Sequence, residues 1–131
     1  LDCPVLGMIY PRGENLRIME GDDTMGAAHA ARLAFELGCD VVKTKWTGSI
    51  ESFRKVTAAV PIPVLIAGGP AGSSTEEILT TVHRAMQAGG GGVCMGRQVF
   101  SHHSPDKMVN ALKLIVHDNS SVESAMQDSG L

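Results

Sequence analysis

The chain has 131 residues, room for one domain, and its 44% hydrophobic and 19% charged residues are the mixture of a core-forming globular protein. A formal net charge of −3 supplies no basic face and argues against a nucleic-acid partner, although two or three local cations could still hold a small anion. No apolar run approaches the ~18–20 residues of a membrane span, so no membrane partner is expected.

Four short apolar runs are predicted to be strands: Pro4–Tyr10, Asp40–Thr44, Pro63–Ala67 and Gly92–Gly96. Each is too short for a helix, and unbroken Val/Ile/Leu runs suit parallel strands buried on both faces. Helical patterns lie between them. The first covers about Thr24 to Leu37, with Asp22 and Asp23 placed to cap it and Gly38 to stop it. A second covers about Ile50–Ala59 after Ser49. The third opens on Ser74-Thr-Glu-Glu77, a capping box, and ends at Gly89. The fourth opens on Ser104-Pro105, where proline fits the first helical position because its missing N–H has no helical partner there, and runs through Val116. A last short helix begins at Ser120 or Ser121.

This alternation predicts βα units on a parallel sheet. A doubly wound sheet and a barrel both fit it. Polar or glycine residues close every strand: Tyr10, Lys43, Gly68–Gly69 and Gly96–Arg97. In a (β/α)₈ barrel that end carries the active site, and a whole barrel takes about 250 residues. The expected fold is therefore α/β, half of a TIM (β/α)₈ barrel, in a single unit over 1–131. The chain begins with Leu rather than Met, almost at once in a strand, so a fragment of a longer domain is expected. Cys3, Cys39 and Cys94 are odd in number and form no CxxC pair, which predicts buried free thiols in a reducing cytoplasm.

Lys43 follows two valines in a strand expected to be buried, and lysine is rarely buried without a reason. Strand periodicity puts Val41, Lys43 and Lys45 on one face, with Lys43 deeper and Lys45 at the rim. A desolvated lysine can lose about 3 units of pKa, roughly 4 kcal/mol, and its free amine can form an imine with a ketone or aldehyde. The alternative is a lysine that snorkels into water beyond the strand end. Tyr10 at a strand mouth can give and take a proton, or cap the core as an amphipathic ring. Glycines at two consecutive strand ends, with Arg97 beside them, suit an anion site of backbone N–H groups and a charged fork. Gly89–Gly92 reads as a helix stop and turn on the opposite rim. His102 and His103 lack a third ligand at suitable spacing and are expected at the surface rather than on a metal. Met108 and Leu112, four apart, are expected to face the core.

The segments MIYPRG, HAARLAFELGCDVVKTKWTG, SFRKV, PVLIAGGP, EEILTTVHRAM and GVCMGRQVF, with the ALKLIVH helix, resemble in order the archaeal-type class I aldolase family. That family includes fructose-bisphosphate aldolases, 2-amino-3,7-dideoxy-heptulosonate synthases and the autoinducer-2 phosphate thiolase. The resemblance covers nearly the whole chain and matches strands five to eight, the C-terminal half of a barrel. It implies that Lys43 is the Schiff-base lysine, that Tyr10 is a catalytic acid/base, and that Gly68, Gly69, Gly96 and Arg97 hold a substrate phosphate. It implies a homo-oligomeric, metal-independent lyase of phosphorylated ketoses with no cofactor, or an acyl-transferring relative. A non-catalytic phosphate-binding half-barrel is the alternative from another class. The chain departs from the family at Ala71, where a lysine is usual after GGP, and at Gln98, where asparagine is usual. The family's acidic residue on the first strand belongs to the half not represented here.

Overall fold

The structure, a computed structural model, describes residues 2–12, 22–69 and 72–131. Four parallel strands, β1 (Leu6–Met8), β2 (Val41–Thr44), β3 (Val64–Ala67) and β4 (Gly92–Cys94), lie side by side in chain order. Each register is in step, with Met8 opposite Lys43, Lys43 opposite Leu65, and Leu65 opposite Gly92. The helices are α1 (Thr24–Glu36), α2 (Ile50–Thr57), α3 (Thr75–Gln87), α4 (Arg97–Phe100), α5 (Pro105–Asp118) and α6 (Val122–Ser129). A parallel sheet in sequential order, with a helix after each strand, is the expected α/β architecture and a (β/α)₈-like arrangement of four units.

The strands are shorter than their apolar runs predict. β1 and β4 are the sheet edges, and each has only one neighbour to pair with, so Pro4, Tyr10 and Gly96 fall outside the ladder. α4 was not expected from the sequence. It is a single turn, too short to carry a helical period, between two stretches read as strand end and loop.

Three helix starts follow the sequence. The Ser74 hydroxyl accepts from the Glu77 N–H, and the Glu77 carboxylate accepts from the Ser74 N–H at 2.7 Å. Ser49 and Ser52 form an equivalent box on α2. Pro105 opens α5. α1 corrects the expectation in part. Asp22, not the N-cap Asp23, accepts from the Thr24 N–H, at 2.9 Å. That hydrogen bonding from Thr24 holds the Asp22 carboxyl below its usual range. Asp23 instead pairs with the Lys45 ammonium. At Gly89 the backbone turns through a left-handed φ of +86°, which ends α3 and starts the turn into β4, as the glycine run predicts.

One face of the sheet is sealed by the helices. Val42, Thr44, Val64 and Ile66 point into a core with Phe53, Leu79, Val82, Met108 and Ile115, all essentially inaccessible to solvent. α1 lies on β2 through Ala27, Ala31 and Ala34, whose small side chains bring the backbone close. Burying each large aliphatic or aromatic residue there contributes about 1.5–3 kcal/mol. Met108 and Leu112 face this core, as their spacing predicts. The other face carries Leu6, Met8, Lys43, Leu65, Ala67 and Cys94. It is open, with Leu6 40% and Met8 59% exposed.

Candidate active site

Parallel strands in register bring all their C-terminal ends to one rim, so residues far apart in sequence meet there. A cavity of about 640 Å³ opens at this rim. Its wall contains Tyr10 from the β1 end, Lys43 from β2, Gly68 and Gly69 from the β3 end, and Gly96 and Arg97 from the β4 end. The structure therefore brings all six sequence-predicted site residues to one cavity, of the size that takes a small organic ligand.

Lys43 is half-buried, and among the described residues it has no ion-pair partner. Lys45 shares its strand parity but lies just past β2, where Asp23 holds its ammonium. Lys45 lines an adjoining cavity of about 300 Å³ with Trp46 and Met95, which shares Gly68 and Gly69 with the larger one. The two lysines therefore differ in what faces them. One amine lines the larger cavity with no counter-charge paired to it among the described residues, and the other is occupied. Arg12 is exposed, and Ala71 lies outside the described residues.

At the glycine end, Gln98 is a bridge. Its amide donates to the Gly69 carbonyl and thereby ties the β3 end to α4. Its carbonyl packs where a Cβ on residue 68 would sit, so a side chain there would displace the Gln98 amide. The Gln98 amide spans this gap.

Two residues of the wall were not expected from the sequence. His102, read as a surface residue, is half-buried in the cavity wall, while His103 stays exposed and stacks on it with ring centroids 4.3 Å apart. His102 Nε2 lies 2.9 Å from the Thr75 hydroxyl, and Thr75 lines the same cavity. The contact joins residues 27 apart across two helix starts, a convergence that no local pattern encodes. The three cysteines are free as expected, but not buried: Cys3 is exposed and Cys39 and Cys94 are half-buried, Cys94 in the cavity wall. Cys94 is on the open strand face, which no helix among the described residues covers.

Known proteins resemble this chain in both sequence and fold. The chain is 45% identical over 132 residues to the 2-amino-3,7-dideoxy-D-threo-hept-6-ulosonate synthase of Halobacterium salinarum, a match that covers 100% of this chain and 48% of the synthase. Its fold matches a crystal structure of an archaeal fructose 1,6-bisphosphate aldolase with a TM-score of 0.80 and 35% identity, over 89% of this chain and 46% of that one. It also matches an archaeal fructose-1,6-bisphosphate aldolase whose catalytic lysine is covalently bound to the carbinolamine intermediate of the substrate. There the TM-score is 0.78 and the identity 34%, over 88% of this chain and 45% of the other. The chain thus spans about half the length of the relatives it matches. The family model for the DeoC/LacD family aldolases matches residues 1–102, and on that match the chain belongs to the DeoC/LacD aldolase family.

Proposed function

We propose that this chain is the C-terminal half of a (β/α)₈ barrel and carries the Schiff-base chemistry of a class I aldolase acting on a phosphorylated ketose such as fructose 1,6-bisphosphate. The observation that carries the reading is the convergence of Lys43, Tyr10 and the Gly68–Gly69/Gly96–Arg97 rim on one cavity. The relative with a lysine-bound carbinolamine supports the same reading.

The Lys43 amine attacks the substrate carbonyl and forms a carbinolamine, which loses water to give a protonated imine. Tyr10 moves protons in these steps and takes the proton from the substrate hydroxyl as the carbon–carbon bond breaks. The bonding pair flows into the imine, so an aldehyde leaves and a neutral enamine remains on Lys43. Protonation of that enamine and hydrolysis release the second product and restore the amine. The phosphoryl group rests on backbone N–H groups of Gly68, Gly69 and Gly96, with Arg97 as the charged partner. In a homo-oligomeric cytoplasmic enzyme of this kind the second half-barrel covers the inner sheet face and dries the site around Lys43.

A second reading has a specific support. The 45% identity to a heptulosonate synthase favours transfer of the enamine fragment to another acceptor rather than simple cleavage. Both readings share the lysine adduct.

Borohydride reduction with a keto-phosphate such as dihydroxyacetone phosphate tests the assignment. Peptide mass mapping is expected to find the adduct on Lys43. Lys43→Arg removes it, because a guanidinium stays protonated, and Lys45→Arg retains it. An adduct on Lys45, or trapping that survives in the Lys43 variant, overturns the reading. Absence of any adduct leaves a phosphate-binding half-barrel without catalysis.

A further inference from the structure

The cavity wall contains a polar pair outside the glycine–arginine set, His102 and Thr75. His102 Nδ1 lies 3.1 Å from the Ser104 N–H and also 3.1 Å from the Ser104 carbonyl. A single ring nitrogen cannot both accept from the first and donate to the second. The Ser104 carbonyl already accepts from the Met108 N–H, in the first turn of α5. The Ser104 N–H has no other partner among the described residues, so accepting from it satisfies both groups. Nδ1 then carries the lone pair and Nε2 the proton. Nε2 faces the Thr75 hydroxyl at 2.9 Å, so it donates and the threonine oxygen accepts.

This fixes the direction of the hydroxyl. A threonine whose oxygen is taken by an N–H donor keeps its own proton for another acceptor. Among the described residues that hydroxyl has no second partner. Thr75 and Arg97 line the same cavity.

We propose that Thr75 is a further anion-binding residue of this cavity, donating its hydroxyl proton to a phosphoryl oxygen, and that His102 is the positioning residue that sets the hydroxyl's direction. The proposal deepens the phosphorylated-substrate reading above and rests on it. His102 touches no substrate in this account. It acts through Thr75, and Ser104 locks its tautomer.

The test uses the full 131-residue chain with inorganic phosphate as the probe, binding followed by calorimetry, and imidazole ¹⁵N spectra read for the tautomer. Thr75→Val is expected to weaken phosphate binding about tenfold, the lower end for loss of a hydrogen bond to a charged group, while Thr75→Ser restores it. His102→Ala is expected to weaken binding less, only while Thr75 is present, and His102→Gln, which keeps an N–H donor, to recover it. The ¹⁵N spectrum is expected to show a neutral ring protonated at Nε2. That measurement needs no variant to fold.

The outcomes separate. Phosphate bound equally well by Thr75→Val, but lost in Arg97→Ala, sinks the role of Thr75 and leaves the phosphate reading standing. A ring protonated at Nδ1 sinks the positioning role of His102. A wild-type chain that binds no phosphate overturns the proposal and the phosphate reading together.

Discussion

The two faces of the four-stranded sheet are built from the same strands yet obey different rules. On the helix face, Val42, Val64 and Ile66 are almost completely buried and meet Phe53, Leu79 and Met108. One residue along each strand, the inner face holds Lys43, Leu65 and Cys94, half-buried, and Met8, largely exposed. The helix face is closed by this chain's own helices and supplies its stability. The inner face and its rim carry the ionisable and glycine positions that chemistry needs. Separating the two lets the open face hold Lys43, unpaired among the described residues, while the core remains apolar.

The largest expected effect puts adjacent residues of β3 against each other. Ile66→Ala is expected to cost about 2–5 kcal/mol, because the deleted atoms leave a cavity in a packed core. Leu65→Ala, on the open face, is expected to cost well under half as much. Denaturant titration of both variants checks this, and equal losses would erase the distinction between the faces.

Arg97→Ala tests the rim. It is expected to weaken binding of a phosphorylated ligand by about 1.5–3 kcal/mol, the range for a hydrogen bond to a charged group. Its unfolding free energy is expected to stay within about 0.5 kcal/mol of the parent, as for a surface substitution. Calorimetry with phosphorylated and unphosphorylated analogues gives the first number and denaturation the second. An equal loss for both analogues would make Arg97 part of the scaffold.

Thr44 is the exception on the helix face. It is fully buried, and its hydroxyl has no partner among the described residues. Thr44→Val keeps the shape and removes the orphaned group, so a gain of about 1 kcal/mol is expected, the lower bound of that penalty. Chemical denaturation would show the sign directly, and a loss instead would mean the hydroxyl is satisfied in solution.

The smallest effect lies outside both faces, at the start of α2. Glu51 is held below its usual range by its own backbone N–H and then by the Ser49 hydroxyl. A carboxyl depressed in the folded state binds protons more weakly than in the unfolded chain. Its contribution is therefore present above the unfolded pKa and is lost as pH falls through the folded one. Glu51→Gln is expected to flatten the acid limb of the stability curve by lowering stability slightly at neutral pH while leaving strongly acid pH unchanged. Thermal melts across the acid range check it.

Much of the site was legible along the chain because it lies at strand ends. Tyr10, Lys43, Gly68–Gly69 and Gly96–Arg97 each close an apolar run, and parallel strands carry such residues to one rim whatever their separation. His102 and Thr75 were not legible in this way. Neither ends a strand, and their contact depends on how the turn after α4 folds back to the start of α3. The same limit explains Asp23, whose spacing suits a helix cap but whose carboxylate finds Lys45 instead.

By itself the sequence determined the order of βα units, the capping box at Ser74, the stop at Gly89 and the parity that separates Val42 from Lys43. These features are local, encoded in periods of two and 3.6 residues and in the groups that satisfy helix ends. Tertiary structure alone decided that six candidates share one cavity. It also decided that Lys45 pairs with Asp23, that Gln98 spans the two glycine ends, and that His102 reaches Thr75. Each of these depends on side chains meeting across elements, and the distances between elements are set by packing, which no stretch of sequence contains.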